Sequence, residues 1–272
     1  MKRLFNWTVL TLLFVILISW QAYAAEDGKE IMKKQKEMHK VKLELGQETM
    51  LLVDSKTNNK EKRTVKRYTK DVGDELNRYL VVFFEPSDVK GTALLTWEQK
   101  NNKNDQWLYM PALGKMQRIA DAGKTNYFMG TDFTYEDMEP EKLESYNYTV
   151  IRTEKINHDK QDYDCYVIEA KPATPEKIKQ SGYSKRILWI TKDNLLTLKA
   201  EFYNKREQLQ KTYSAYDYTK ITGTIWRPKK TLMDNTSKNH KTLTMTNERK
   251  INEPIDDSVF TERFILSGNH VK

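Results

Sequence analysis

The fold class that the sequence predicts is mainly β with a few helices (α+β), its antiparallel strands gathered in one strongly curved sheet. Three observations predict it. Apolar and polar residues alternate over strand-length segments, turn-forming clusters separate those segments, and the pattern recurs about a dozen times. The alternation is clearest at 196–204. There Leu196, Leu198, Ala200 and Phe202 fall on one side, with Thr197, Lys199, Glu201 and Tyr203 on the other. At 241–248, Leu243 and Met245 oppose Thr242, Thr244 and Thr246 in the same way. Such alternation marks a half-buried sheet with one wet face, as antiparallel strands allow.

In chain order, Ile31, Met32, Gln35 and Met38 lie near helical spacing and predict a short amphipathic helix over 28–40. Strands are then expected at 41–53, 63–69, 79–84, 93–98, 107–110, 146–154, 163–170, 186–191, 197–204, 210–218, 225–233 and 241–248. Thr57-Asn58-Asn59, Lys100-Asn101-Asn102, Lys192-Asp193-Asn194 and Asn235-Thr236-Ser237 are the turn clusters between them. An open sheet of that many strands curls or closes, and its concave side needs a cover. The candidates are the opening helix, a segment at 135–143 containing Pro140, the piece at 175–182, and a final helix at 259–266 capped from Asp256-Asp257-Ser258.

The first residues have a different character. Lys2 and Arg3 precede an apolar run at 4–20, and Ala22-Tyr23-Ala24 follows, which is the order of a secretory signal peptide. Cleavage is expected between Ala24 and Ala25, leaving 25–272 as a single soluble domain in the periplasm; the alternative is an uncleaved anchor, since the run just reaches spanning length. The formal net charge of +8 falls to +6 once Lys2 and Arg3 are removed. The basic residues at 33–40 and 60–70 read as solvated faces, with attraction to an anionic membrane surface as the sharper alternative. Nucleic acid is a poor partner for an exported chain.

Most reactive chemistries find no support. Cys165 is the only cysteine, which excludes an internal disulfide and a thiolate metal site and leaves it as a small buried side chain. His39, His158, His240 and His270 are scattered, with no pair at helical metal spacing. The sequence 182–185 lacks the second glycine of a nucleophile elbow, and Gly123-Lys124-Thr125 lacks the upstream glycine of a phosphate loop. Glu136, Asp137, Glu139, Glu141 and Glu144 could supply an acid and a base, but a helix start explains them more simply. Neither an enzyme nor a cofactor or metal site is expected. Abundant aromatic residues and Met32, Met38, Met110, Met116, Met129 and Met138 suit either a core or a pocket for flexible apolar ligands.

One segment is more specific. Residues 91–97 read GTALLTW, 105–119 read DQWLYMPALGKMQRI, and 128–138 read FMGTDFTYEDM. A strand ending in Trp97, a W-x-Y-x-P strand and turn (Trp107, Tyr109, Pro111), basic Arg118, and an F-x-G-x-D-F-x-Y-x-D block (Gly130, Asp132, Phe133, Tyr135, Asp137) follow in order. This pattern resembles the outer-membrane lipoprotein-sorting proteins of the LolA-like superfamily, the LolA and LolB type of periplasmic carriers. The motif residues are expected to be structural: Pro111 ends a strand without an unpaired donor, Gly130 takes a conformation closed to other residues, and Asp132 caps a turn.

The resemblance implies a half-open β-barrel closed by lid helices, with acyl chains held on its concave apolar face. The expected function is a periplasmic carrier of lipid, lipoprotein or another hydrophobic ligand, working beside an inner-membrane transporter or an outer-membrane acceptor. The alternative is a non-transporting envelope interaction or sensor module with the same sheet, its concave face filled by its own side chains. Alternation alone nominates Leu95, Trp97, Leu196, Leu198, Phe202, Leu243 and Met245 as ligand-facing, with a register open to a one-residue slip.

Overall fold

The computed structural model describes residues 27–100 and 103–272. The expected leader, its cleavage point between Ala24 and Ala25, and the Asn101-Asn102 turn lie outside these described residues. The helix expected first is α1 (Gly28–Met38), whose N-cap Asp27 accepts a hydrogen bond from the Lys29 amide. A Cβ at Gly28 would stand 2.8 Å from the Tyr148 carbonyl oxygen, so only glycine lets α1 sit this close to the strand beneath it.

Thirteen antiparallel strands form one open sheet. They are β1 (Leu43–Asp54), β2 (Lys60–Gly73), β3 (Leu76–Glu85), β4 (Ala93–Trp97), β5 (Asp105–Met110), β6 (Lys115–Arg118), β7 (Tyr146–His158), β8 (Gln161–Pro172), β9 (Tyr183–Thr191), β10 (Thr197–Asn204), β11 (Leu209–Thr222), β12 (Ile225–Asn235) and β13 (His240–Ile251). Twelve match the expected segments. The polar β6 does not announce itself in the sequence, because an edge strand facing water needs no apolar alternation.

The order across the sheet is β6-β5-β4-β3-β2-β1-β13-β12-β11-β10-β9-β8-β7. The first and last strands therefore meet at the centre, and two meanders run outward from that seam. β6 and β7 are consecutive in sequence yet lie on opposite edges. The chain between them, residues 119–145, has to cross from one edge to the other, and in a curled sheet it does so over the concave side.

Two apolar clusters lie on the inner face. One joins Met50, Leu52, Val65, Phe83 and Leu108 to Phe128 and Tyr135 of the crossing segment. The other joins Tyr146, Ile168, Leu188, Ala200, Phe202 and Met233 to Ile31 of α1. Two further clusters lie on the outer face, one built on Cys165, Val167, Trp189 and Leu198, the other on Leu80, Val82 and Leu95.

The second of these outer clusters corrects an expectation. The final helix, α3 (Glu262–Leu266), and the 3-10 turn before it cover the convex side of β3–β5, where Phe260 and Ile265 pack on Leu80, Val82 and Leu95. The cause is visible in the unbroken run Leu80-Val81-Val82-Phe83, all buried: a strand that is apolar on both faces needs a cover on both. The segment at 135–143 does cover the concave side, as turns followed by a 3-10 turn at Leu143–Ser145. The piece at 175–182 contains α2 (Pro175–Gln180), with Pro175 at its start and Thr174 as its cap.

Candidate functional site

Between α1, the crossing segment and the inner face of β9–β12 lies a recess of about 1470 Å³ that opens to solvent. Leu188, Ala200, Phe202, Tyr213 and Met233 form its floor, and Met32, Phe133, Leu143 and Tyr146 approach from above. The recess changes character toward the seam. There Arg227 and Arg249 both pair with Glu44 at 2.9 Å, and Arg67 pairs with Glu48 at 2.7 Å, in a charged row across β12, β13, β1 and β2. The recess thus has an apolar floor beneath charged walls that include Lys124, Glu136, Glu139, Lys177 and Arg186, while the far end of the concave face, beyond the charged row, is filled by Phe83 and Phe128 with their rings 5.5 Å apart.

The crossing segment is held down by buried ionic contacts. Lys211 of β11, fully buried, pairs with Asp137 at 2.5 Å and donates to the Asp132 carbonyl at 2.9 Å. Asp137 also accepts from the Thr134 amide at 2.6 Å, from the Thr134 hydroxyl at 2.8 Å and from the Tyr183 phenol at 2.9 Å. Burial pushes the Tyr183 phenol well above its ordinary range, with the Asp137 charge acting in the same direction, so it stays a donor. Asp132 accepts from Thr242 at 2.8 Å and contacts His240 at 2.7 Å. Gly130 adopts φ +76°, and Arg63 donates to the neighbouring Met129 carbonyl.

The other acidic residues play the same part. Glu136 pairs with Lys177 at 2.7 Å and accepts from the Gly182 amide, Glu139 pairs with Lys124 at 2.6 Å, and Glu141 pairs with Arg186. No α-helix starts here, contrary to the sequence reading; Glu136, Asp137, Glu139 and Glu141 each answer a cation, and only the exposed Glu144 stands in the first turn of a 3-10 helix. Burial nevertheless pushes the Glu139 carboxyl up. Lys177, despite the opposing effect of burial, is pushed up to about 12 by the Tyr146 and Glu136 groups around it. Among the described residues no cluster of three or more His, Cys, Asp or Glu is placed to hold a metal ion.

The remaining motif residues shape the framework. Trp97 and Trp107 meet edge to face at 5.1 Å under α3, and Tyr109 meets His270 in the same way at 5.5 Å. Pro111 opens a 3-10 turn after β5, and Arg118 pairs with Asp105. Phe133 lines the recess, and Tyr135 packs on Phe128.

Of the residues nominated as ligand-facing, only Phe202 lines the recess. Leu95 and Trp97 lie under the C-terminal segment on the convex side. Leu196 and Leu198 pack with Cys165 and Trp189, also on the convex side. A β-bulge between Thr197 and Lys199 is the reason: it puts Leu198 on the outer face and turns Ala200 and Phe202 inward, breaking the alternation midway. On β13 the faces are reversed relative to polarity. Thr242 and Thr244 are buried inward, the former to bind Asp132, and Leu243 and Met245 are half-buried outside. The signal that finds the true lining is the partner strand: Leu188 and Ala200 pair across β9 and β10, and Tyr213 and Met233 across β11 and β12.

His39, just past α1, ties this helix to the sheet. Its Nε2 meets the Asn194 carbonyl at 2.8 Å and its Nδ1 accepts from the Trp226 amide at 3.3 Å, so the ring sits as the neutral tautomer with its proton on Nε2. Burial holds its pKa below the ordinary value of 6.5, and the Arg227 charge adds to this. The unfolded chain then binds the proton more readily, so the contribution of His39 to stability is complete above pH 6.5 and falls away below it. The expected result is a fall in amide protection factor, the rate relative to the unfolded chain at the same pH, at the end of α1 below pH 6.5, a pH dependence that His39→Gln removes. Equal pH dependence in both proteins would show that the clasp is not formed.

Together the open antiparallel half-barrel, its helical cover and its crossing segment define the LolA-like fold. A family described as an uncharacterized protein matches residues 75–267, and the chain belongs to it. Among solved structures, an outer membrane lipoprotein-sorting protein domain from Vibrio parahaemolyticus is similar at 28% identity and TM-score 0.80, over 88% of this chain and 98% of that one. A DUF1329 family protein from Desulfovibrio piger matches at 26% identity and TM-score 0.80, over 88% and 97%. A LolA superfamily protein from Nitrosomonas europaea shares the fold at 20% identity and TM-score 0.68, over 88% and 100%. No curated protein matches the chain. No described helix is long and apolar enough to cross a membrane.

Proposed function

We propose that the chain, after loss of residues 1–24, works in the periplasm as one domain that binds the acyl part of a lipid, lipoprotein or similar amphiphile without catalysing a reaction. The observation that carries this reading is the apolar floor of Leu188, Ala200, Phe202 and Met233 inside a recess of about 1470 Å³, larger than the roughly 300–1,000 Å³ of ordinary small-molecule pockets. The Arg227–Glu44 pair in the wall and the apolar floor below it match a ligand with a polar head and an apolar chain. Burial of apolar surface supplies about 25 cal/mol per Å², enough for micromolar binding by one enclosed chain. Release then needs an acceptor, a transporter or a membrane protein, that takes the chain. The lipoprotein-sorting description of the Vibrio parahaemolyticus relative supports the same reading.

One observation favours the sensor or interaction module: the β2–β5 end of the concave face is filled by Phe83, Phe128 and Tyr135 of the chain itself. The two readings separate on one experiment. Protein purified from a bacterial periplasm without detergent is analysed by native and lipid mass spectrometry, beside Ala200→Phe, which fills the floor without adding charge. A carrier brings near-stoichiometric lipid or takes up a fluorescent fatty acid, and Ala200→Phe lowers that uptake at least about tenfold while keeping its fold. A folded protein that stays empty and takes up no probe would sink the carrier reading.

A further inference from the structure

The convex face is covered by side chains on both flanks, by the C-terminal segment over β3–β5 and by the Cys165–Trp189 layer over β8–β10. The strip between them, β2-β1-β13-β12, has no packed cover among the described residues except at Tyr68 of β2 and Trp226 of β12, which join the flanking clusters. Register places Leu51, Leu243 and Leu232 side by side across β1, β13 and β12, with Val53 and Met245 in the rows above and below. These residues are half-buried and belong to none of the four apolar clusters. The same row ends in Lys62, and the row beside it runs Lys60, Val53, Lys241.

The unpaired charge along this strip is positive and lies on β2. The pleat puts Lys60, Lys62, Lys66 and Lys70 of β2 on the outer face, while Arg63, Val65 and Arg67 point inward. β13 adds Lys241 and Lys250, and the outward side of β1 carries no charge. The outward carboxylates are Glu248 of β13 and Asp234 of β12, which pair with Lys250 and Lys241, and Lys70 pairs with Asp257 of the C-terminal segment. Lys60 and Lys62 are exposed and have no ion-pair partner among the described residues.

We propose that this strip is a docking face for an anionic lipid bilayer. Two features fit a bilayer better than a protein. The convex side of a curled sheet meets a plane along the strand direction, over a strip roughly three strands, about 15 Å, wide. Its cations are lysines, mobile point charges suited to a diffuse layer of headgroups rather than to paired recognition of one carboxylate. Each lysine near such a surface strengthens binding about fivefold, and the half-exposed leucines reach the interface between them.

The test is cosedimentation of the periplasm-purified protein, its N-terminus read by mass spectrometry, with vesicles of phosphatidylcholine alone or with phosphatidylglycerol. Binding is expected only to the anionic vesicles, and it should collapse in 0.5 M salt, a concentration of roughly 4 Å screening length. Lys60→Glu with Lys62→Glu should lower the partition coefficient at least about tenfold, and Leu51→Ser with Leu243→Ser severalfold, with unchanged circular dichroism. Arg206→Glu, in the β10–β11 turn, is the control for net charge alone and should change little. Equal binding to neutral vesicles, wild-type binding by the Lys60/Lys62 variant, or no binding to either vesicle would overturn the proposal. The last outcome would favour an acidic protein partner. Loss of the recess by Ala200→Phe leaves this binding unchanged, which separates the result from that of the carrier reading.

Discussion

Lys211→Ala is expected to cost about 3–5 kcal/mol of folding stability, because it leaves the buried Asp137 carboxylate without its cation. The loss is not that of an attractive contact alone. Asp137 would keep its donors from Thr134 and Tyr183, but its charge would stand uncompensated under the crossing segment. The Asp132 carbonyl would lose a donor as well. Urea unfolding measures the change. In Lys211→Ala with Asp137→Ala the sum of the single losses should not be reached, since no buried charge is left over. Additive losses would mean that the pair does not interact. The same variants should speed proteolysis at 119–145 before the sheet unfolds.

Phe260→Ala is the second large effect, expected at about 3–5 kcal/mol, as for other buried aromatic truncations. Phe260 is 4% exposed and closes the outer face of β3–β5 together with Ile265. Its carbonyl also accepts from the Trp97 indole at 2.9 Å, so undocking of the segment alters the surroundings of Trp97 and Trp107. The thermal midpoint should fall by roughly 6–20 °C for a chain of this size. Tryptophan emission should shift to the red in the same transition. A loss under about 1 kcal/mol would show that the C-terminal segment is dispensable to the fold.

Strand positions were legible in the sequence because alternation and turn chemistry are local. Which side of each strand faces the recess was not. That depends on the bulge at Leu198, a single extra residue that reverses the face, and on the inward Thr242, a polar residue whose burial makes sense once Asp132 is seen above it. The family block reads as a framework in the sequence, and in the structure Asp132 and Asp137 tie the crossing segment to the sheet. Their partners Lys211, Tyr183, Thr242 and His240 lie far along the chain, on strands β9, β11 and β13, and no spacing rule links them. The placement of α3 had a sequence signal, the unbroken apolar run of β3, which demanded a second cover.

The meeting of β1 and β13 at the middle of the sheet has a mechanical consequence. The molecule is built like a book whose spine is that seam, with β2–β6 as one cover and β7–β12 as the other. Residues 119–145 are the ribbon tied between the two outer edges. How far the covers can part is then set by the free length of the ribbon, and each buried polar knot that holds Asp132, Asp137 or Glu136 shortens it. Loosening a knot widens the reach of the book while leaving its spine and pages intact.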